Sequence, residues 1–418
     1  FGIQTFLVWH AFIGYWGGVD GRALPQYEVR DVPRRSSLGV ISHCPSLQEW
    51  WGHLVGVVPG HRIEAFYTDY HRWLAEEGVD GVKVDVQGML ETVSDGSGGR
   101  VPFTRAYRRA LESSVTDHFD DRLINCMSCA TETWYQSTTS NLIRTSTDFW
   151  PNKPDSHGLH LYTNAQVCVW FSEFLHADWD MFQSGHPMGA YHAAGRAVSG
   201  SPVYVSDKPG QHGAEILRKL VCFDGTTFRC QDIGRPTPDC LFRDPTKEAV
   251  LLKIFNRNRH GWVVGAFNAR YHANERERLG ISGRVSPSDV PGIEGEAFVA
   301  WAHEAGLLMR LPRDGRLSLT LGELCCEVVT LVNVVDGCAV VGLADRYNAA
   351  AAIAKLSREG RNVEVALRDG GRFLAWCETR PTAVQVDGKA ADFAYDAESR
   401  ALSVDLAPGR PYVVRIVR

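Results

Sequence analysis

Short runs of β-branched and aromatic residues alternate with longer amphipathic segments over roughly the first 220 residues. This alternation is typical of βα units that build a parallel sheet. Six runs are predicted to be strands: Thr5–His10, Gly81–Val86, Leu123–Met127, Leu142–Ser146, Ala177–Met181 and Pro202–Ser206. Five segments are predicted to be helices: Arg62–Glu77, Phe103–Phe119, Leu161–His176, Met188–Val198 and Ala214–Val221.

From Val250 onward the pattern changes to closely spaced alternating strands. The predicted strands are Leu251–Phe255, Trp262–Phe267, Cys326–Val332, Ala339–Leu343, Val363–Leu367, Thr382–Val386 and Tyr412–Ile416. Asp-Gly turn signals separate several of them, as at Asp336-Gly337 and Asp387-Gly388. We therefore expect one domain over residues 1–245 and a C-terminal antiparallel β-sandwich over residues 246–418, connected through the proline-containing segment 226–246.

Six βα units are too few for a closed barrel of eight, and open doubly wound sheets usually carry a Gly-rich turn after the first strand. The glycines after the first predicted strand, in the segment Gly14-Tyr-Trp-Gly-Gly18, lack the GxGxxG spacing. The expected fold of residues 1–245 is thus a (β/α)8 TIM barrel that is incomplete at its N-terminal side. We expect the chain to be part of a longer protein.

Composition and charge exclude several classes of partner. Apolar residues make up 44% of the 418 residues, and 44 Lys and Arg stand against 49 Asp and Glu, giving a formal charge of −5. This balance gives no general attraction to nucleic acid or to an anionic membrane surface. The most apolar stretch, Val167–Ala177, is far shorter than the ~18 residues that span a bilayer. Neither nucleic acid nor a membrane is expected as a partner, and the oligomeric state stays open.

The cysteines indicate a reducing compartment. Eleven cysteines is an odd number, and they show no repeating spacing in a chain too large to need disulfides for stability. Cys126 and Cys129 form a CxxC, but no second CxxC or His pair completes a zinc set. We expect reduced thiols, a cytoplasmic protein and no metal site.

Polar residues alternate with valines along the second predicted strand. A period of two places Lys83, Asp85 and Gln87 on one face, while the intervening valines pack on the other. Burying a cation, a carboxylate and an amide on one strand costs several kcal/mol of desolvation, which favours a functional site. In the structural alternative, Asp85 caps the following segment and pairs with Lys83.

A second constellation ends another predicted strand, where Arg144, Ser146 and Asp148 share a face. Reactive groups of parallel barrels lie where the strands end, so the carboxylates of Asp85 and Asp148 are expected at the same end of the barrel. Asp178, Asp180 and Asp207 follow later strands. For these three, ligand binding and a structural role as helix caps or loop acceptors are equally open.

Tryptophans are concentrated in the same loops: Trp9, Trp16, Trp50, Trp51, Trp134, Trp150 and Trp179. Each ring taken alone fits a hydrophobic core. Indole rings beside carboxylates are typical of sugar sites, where the ring stacks on the apolar face of the sugar and the acids take hydroxyls. Their clustering favours a carbohydrate ligand.

At this point the chain resembles the raffinose synthase and seed imbibition protein family, relatives of the alkaline α-galactosidases in glycoside hydrolase family 36. The resemblance covers most of the chain. It depends on long collinear matches at residues 8–18 (VWHAFIGYWGG), 78–87 (GVDGVKVDVQ), 125–128 (NCMS), 144–151 (RTSTDFWP), 177–184 (ADWDMFQS), 199–210 (SGSPVYVSDKPG) and 251–256 (LLKIFN).

The resemblance implies roles for these residues. The Asp of the KVD motif places the nucleophile at Asp85, and the last Asp of the RxSxD motif places the acid/base at Asp148. Lys83 and Arg144 would bind sugar hydroxyls or tune the carboxylates. The remaining expected substrate contacts lie in the matching motifs: Trp16, Cys126, Asp178, Trp179 and Asp180. No cofactor is expected, and the expected partner is an α-galactoside oligosaccharide.

The chain also departs from the family pattern. The N-terminal β domain and the Asp-Asp-Gly-Trp motif of the family are not found, and Thr147 stands where many relatives carry a second acid. We expect a retaining α-galactosidase or galactosyltransferase of the raffinose synthase type acting on raffinose-family oligosaccharides, with hydrolysis preferred. Two alternatives stay open: a catalytically inactive carbohydrate-binding homologue, and a metal-dependent barrel enzyme using Lys83, Asp85, Asp148 and Asp180.

Overall fold

A computed structural model of the chain describes residues 2–36, 38, 42, 48–49, 51–274 and 280–418. The chain divides into two compact units, Phe1–Thr147 with Phe171–Asp178, and Asp148–Trp170 with Trp179–Arg418. The predicted domain limit at residue 245 falls inside the second unit and stays a prediction. Trp50 and Cys44 lie outside the described residues.

The first unit contains a parallel sheet of five strands. They are β1 (Leu7–Ala11), β4 (Gly81–Asp85), β5 (Leu123–Asn125), β6 (Leu142–Arg144) and β7 (His176–Asp178). Their order in the sheet is β1-β4-β5-β6-β7, so each of these strands lies beside the next one along the chain. A separate antiparallel pair, β2 (Arg30–Pro33) and β3 (Leu54–Val57), lies in the connection between β1 and β4.

Two long helices, Ile63–Glu76 and Arg100–Phe119, pack on one face of this sheet. The helices of the described chain are α1 (Ile63–Glu76), α2 (Arg100–Phe119), α3 (Thr131–Trp134), α4 (Ser156–Phe171), α5 (Gly189–Ser199) and α6 (Ala214–Arg218). In α1 the buried positions Ile63, Phe66, Tyr67, His71 and Leu74 recur at helical spacing. The apolar members of this set, Ile63, Phe66, Tyr67 and Leu74, belong to one hydrophobic cluster with the valines of β4 and with the buried side of α2. None of the described helices has the length and hydrophobicity that crossing a bilayer requires.

Antiparallel sheets make up most of the second unit. A six-stranded sheet, in the order β13-β12-β15-β10-β9-β8, contains β8 (Arg235–Pro236), β9 (Leu252–Asn258), β10 (Gly261–Phe267), β12 (Ala297–Ala302), β13 (Leu307–Pro312) and β15 (Cys326–Asn333). Strands β11 (Ile281–Val285) and β14 (Leu317–Leu321) pair beside it and share a hydrophobic cluster with it.

Two further sheets form the C-terminal part. One contains β16 (Cys338–Leu343), β19 (Gly371–Cys377), β23 (Ala401–Leu406) and β22 (Ala394–Asp396). The other contains β17 (Ile353–Glu359), β18 (Asn362–Leu367), β24 (Tyr412–Val417), β20 (Ala383–Val386) and β21 (Lys389–Ala390). Alternate residues of both sheets form one hydrophobic cluster, as in the two layers of a β-sandwich. The prediction of a parallel α/β part followed by antiparallel strands is therefore confirmed.

Some predicted elements differ at their ends. The predicted strand Pro202–Ser206 is reduced to an isolated parallel bridge between Phe182 and Val205, and Pro202 has no N–H for a ladder. Strand β6 is shorter than predicted because it ends at Arg144. Helix α4 begins and ends about five residues earlier than predicted.

Candidate active site

The alternation of the parallel sheet separates a helix-covered face from a partly open face. Val82, Val84, Ile143 and Ala177 are fully buried, and they lie on the face covered by helices. The register pairs Lys83 with Ile124, Asn125 with Ile143, and Arg144 with Asp178. Because neighbouring residues in a strand point to opposite faces, Lys83, Asp85, Arg144 and Asp178 share the other face. Asp85, Arg144 and Asp178 are the last residues of their strands.

Asp85 is held in one orientation at the end of β4. The indole Nε1 of Trp9 donates to Oδ2 of Asp85 at 3.0 Å, and the backbone N–H of Val86 donates to Oδ1 at 2.7 Å. The ring of Trp9 also packs edge-on against Tyr15, with 6.0 Å between ring centroids. Trp9 and Tyr15 are both exposed. The half-buried carboxylate therefore lies beside an aromatic surface that is open to a ligand.

The strand turns directly after Asp85, so the face predicted for Lys83, Asp85 and Gln87 ends at Asp85. Val86 has a φ of 64°, in the left-handed region that a β-branched residue rarely adopts. The polypeptide then enters a 3-10 helix, Gln87–Val93. Gln87 consequently does not continue the face of Lys83 and Asp85: it is buried, and its amide donates to the carbonyl of Val84 and to Asn125 Oδ1.

A buried polar network supports this turn from the side of α2. The guanidinium of Arg108 donates from NH1 to Gln87 Oε1 at 3.0 Å and to Asn125 Oδ1 at 2.6 Å. Its NH2 donates to Glu112 Oε1 at 2.6 Å. Glu112 also accepts from the N–H and hydroxyl of Thr138. The network joins the ends of β4 and β5 to α2, and no sequence motif predicted it.

Cys126 and Trp16 lie in the same unit. Cys126 directly follows β5, is buried, and donates its backbone N–H to the carbonyl of Val84. Trp16 is partly buried and packs against the hydrophobic cluster of the unit, and its carbonyl accepts from Arg34. Their roles as substrate contacts stay predictions.

The other predicted acids belong to the second unit. Asp148 is exposed, and the next residue, Phe149, is buried. Asp180 Oδ2 accepts the backbone N–H of Phe149 at 2.8 Å. Asp180 is fully buried and has a φ of 66°. The carboxylate of Asp180, which was predicted to contact substrate, thus fixes the backbone beside Asp148.

Trp179 is completely buried, so its ring presents no surface to solvent in this structure. Its carbonyl accepts from NH2 of Arg196 at 2.7 Å, and the same nitrogen donates to the carbonyls of Asp180 and Met181. Arg196 also donates to His192 Nδ1 at 3.1 Å. One buried guanidinium on α5 therefore holds three successive carbonyls of the loop that carries Asp180.

Histidines surround this guanidinium, and they are not among the residues predicted for the site. Nδ1 of His157 lies 2.8 Å from Nε2 of His192. Burial and the charge of Arg196 lower the pKa of His192 well below its ordinary value. Burial, with His186 nearby, lowers the pKa of His157 to about 4. Neutral imidazole rings fit a site that is buried beside a guanidinium. The sequence carried one signal of this contact, because His192 and Arg196 are four residues apart and so lie on the same side of one helix.

Asp207 has a structural role in its loop. Its carboxylate accepts from the hydroxyl of Ser184 at 2.6 Å and the N–H of Gly185 at 3.1 Å. Burial opposes ionisation, but these hydrogen bonds and one from His212 hold the pKa of Asp207 below its ordinary value.

Within residues 2–36, 38, 42, 48–49, 51–274 and 280–418, no three His, Cys, Asp or Glu side chains are grouped as metal ligands would be.

Comparison with known proteins agrees with the motifs. The chain is 40% identical over 437 aligned residues to "Probable galactinol–sucrose galactosyltransferase 1" of Arabidopsis thaliana, covering 97% of this chain and 58% of that protein. It is 30% identical over 430 residues to a stachyose synthase of Pisum sativum, covering 94% of this chain and 50% of that protein. The chain thus spans little more than half the length of the relatives it matches.

Among solved structures, alpha-galactosidase I from Mortierella vinacea matches with a TM-score of 0.48 and 13% identity, covering 68% of this chain and 73% of that one. That similarity is too low to bear on activity. The family model for "Raffinose synthase or seed imbibition protein Sip1" matches residues 1–406. With this match over nearly its whole length, the chain belongs to the raffinose synthase or seed imbibition protein Sip1 family.

Proposed function

We propose that this chain is part of a retaining enzyme that transfers α-galactosyl groups, with galactinol as donor and sucrose as acceptor. The observation that carries the proposal is the face shared by Lys83, Asp85, Arg144 and Asp178 at the carboxyl end of the parallel sheet. Enzymes built on parallel barrels place their reactive groups at this end. The names of the relatives favour transfer, whereas hydrolysis was the reaction expected from the sequence.

We further propose that the five parallel strands belong to a (β/α)8 barrel. Their consecutive order in the sheet is the order that strands take in such a barrel. The matched relatives are nearly twice as long as this chain, so the activity of the whole protein is part of the proposal.

In the proposed first step, the Asp85 carboxylate attacks the anomeric carbon of the galactosyl donor. The bond from that carbon to the leaving oxygen breaks, and Asp148 gives its proton to that oxygen. The product is a β-galactosyl ester on Asp85. A retaining mechanism of this kind requires the two carboxyl groups about 5 to 5.5 Å apart.

In the second step, Asp148 takes the proton of an acceptor hydroxyl, whose oxygen attacks the galactosyl carbon and frees Asp85. Two inversions give net retention. Sucrose as acceptor gives a trisaccharide, and water gives free galactose. The hydrogen bonds from Trp9 and Val86 support the role of Asp85, because they keep the carboxylate oriented through both steps.

The intact protein, supplied with galactinol and sucrose, should form a trisaccharide whose new linkage is α, as read by NMR. Asp85→Asn and Asp148→Asn should each lower the rate by a thousandfold or more, whereas Asp120→Asn, at a side chain 85% exposed, should leave it unchanged. Turnover that survives Asp85→Asn would contradict the proposal. Galactinol binding without any turnover would instead support the inactive carbohydrate-binding alternative.

Rescue by azide distinguishes the role of Asp85 from the role of Asp148. With an aryl α-galactoside, azide should rescue the Asp148 variant and give an α-galactosyl azide, because it attacks the ester on Asp85. With the Asp85 variant, azide should replace the nucleophile and give a β-galactosyl azide. Products of the opposite configuration would reverse the two assignments.

A further inference from the structure

Two cysteines face each other at the end of the C-terminal sandwich. Cys338 begins β16 and Cys377 ends β19, and the two are register partners in the antiparallel pair. Their sulfur atoms lie 3.7 Å apart, and both thiols are free and completely buried. Among the described cysteines, this is the pair whose strands place the two sulfurs opposite each other.

The backbone geometry at this position is compatible with a disulfide. The N–H of Cys338 donates to Val335, and the N–H of Cys377 donates to Arg400, so the two cysteines form a non-hydrogen-bonded pair. In such pairs the Cα atoms are about 4.5 Å apart, within the range of about 4.4 to 6.8 Å that disulfides occupy. Bond formation therefore requires rotation of the side chains and no separation of the strands.

Positive charge lies beside the pair. NH2 of Arg358 donates to the carbonyl of Cys338 at 3.2 Å. The contact with the Cys377 thiol lowers the pKa of the Cys338 thiol despite its burial, with Arg358 and Arg418 adding to the effect. The same contact, with burial, raises the pKa of Cys377. Arg358 and Arg418 both favour the thiolate form at this pair, which is the form that reacts.

The pair is one residue from the surface. Asp336 and Gly337 form a tight turn with positive φ angles before Cys338, and the residue after Cys377 is exposed. A cavity of about 310 Å³ has Val335, Val340 and Arg358 in its wall. Neither cysteine lines this cavity, so a small oxidant must reach the sulfurs through local opening at the end of the sheet.

We propose that Cys338 and Cys377 form a site of reversible disulfide formation, with hydrogen peroxide as oxidant. The Cys338 thiolate attacks the peroxide, an S–O bond forms, the O–O bond breaks and water leaves. The sulfur of Cys377 then attacks that of Cys338, the S–O bond breaks and a second water leaves. Two thiols and one peroxide thus give one disulfide and two waters, and a dithiol reverses the change.

Peptide mapping of the intact, reduced protein after exposure to hydrogen peroxide tests the site. Cleavage by trypsin and at Glu327 separates Cys338 from Cys326, which otherwise share a peptide. We expect a cross-linked pair of peptides containing Cys338 and Cys377, lighter by two hydrogen atoms and lost after treatment with dithiothreitol. The cross-link should persist in Cys326→Ser and be absent in Cys377→Ala.

Stability gives a readout that needs no variant. The bond closes a loop of about 40 residues, so the oxidised protein should melt about 5 °C or more above the reduced protein. The oxidation is carried to the point where exposed Cys325 is fully modified, and the protein is then unfolded and alkylated. The proposal would be overturned if both Cys338 and Cys377 still react with the alkylating reagent. Linkage of either cysteine to a different partner would overturn it as well.

Discussion

Replacement of Glu112 by Gln tests how the buried network supports the candidate active site. Arg108 and Glu112 are fully and almost fully buried, and their ion pair measures 2.6 Å. Removing one partner of a buried pair leaves an uncompensated charge and costs about 3 to 5 kcal/mol. Gln keeps the size and one acceptor of Glu, so we expect a loss near the lower end, about 3 kcal/mol. That loss lowers the folding equilibrium constant by about a hundredfold.

The pH dependence of this loss follows from the carboxyl group. Burial would raise the pKa of Glu112, but Arg108 and the hydrogen bonds from Thr138 and Ser140 hold it below the ordinary value of 4.5. The folded state thus favours the ionised form. Its contribution to stability is complete above pH 4.5 and is lost as the pH falls further. The difference between wild type and Glu112→Gln should therefore be largest near neutral pH and shrink below pH 4.5.

Urea unfolding followed by tryptophan fluorescence measures this difference at each pH. Glu64→Gln on α1, at an exposed position, is the matched control and should change the free energy of unfolding by less than about 0.5 kcal/mol. A Glu112→Gln protein that unfolds within that margin at pH 7 would refute the reasoning. A difference that stays constant from pH 7 to pH 3 would refute the electrostatic part of it.

Three other substitutions have expected outcomes. Trp9→Phe removes the 3.0 Å hydrogen bond to Asp85 and should lower kcat about tenfold with little change in melting temperature, measured by steady-state kinetics and calorimetry. Arg196→Met releases the carbonyls around Asp180 and should destabilise the protein by about 3 kcal/mol, measured by urea unfolding. Burial lowers the pKa of His71 to about 2, so it contributes stability above pH 6.5 that is lost as the pH falls. His71→Phe should reduce the fall in melting temperature as the pH drops below 6.5. An unchanged slope of melting temperature against pH would count against the assignment.

The period of two along the strands was sufficient to predict which side of the sheet carries Lys83 and Asp85. That pattern is local, since alternate side chains of a strand point the same way whatever else the chain does. The end of the strand was not predictable in this way. It depends on the left-handed conformation of Val86, a position where the sequence carries no glycine or asparagine to signal a turn.

The buried networks were missed for a related reason. Arg108 and Arg196 read as ordinary charged positions of surface helices, and their partners come from distant segments such as residues 137–140 and 179–181. The spacing of Arg108 with Glu112, four residues apart, was visible but is typical of exposed pairs as well. Burial of both partners depends on tertiary packing, which spacing does not reveal.

The backbone at Val86 limits how this protein can be made more heat-tolerant. A β-branched residue in the left-handed region costs of order 1 to 3 kcal/mol, a strain that glycine or asparagine at this position would relieve. The isopropyl group is fully enclosed, and its removal would leave a void beneath β4. It would also loosen the amide that grips Asp85. Substitution of Val86 therefore exchanges backbone strain for lost packing, and it should not make the protein more heat-tolerant.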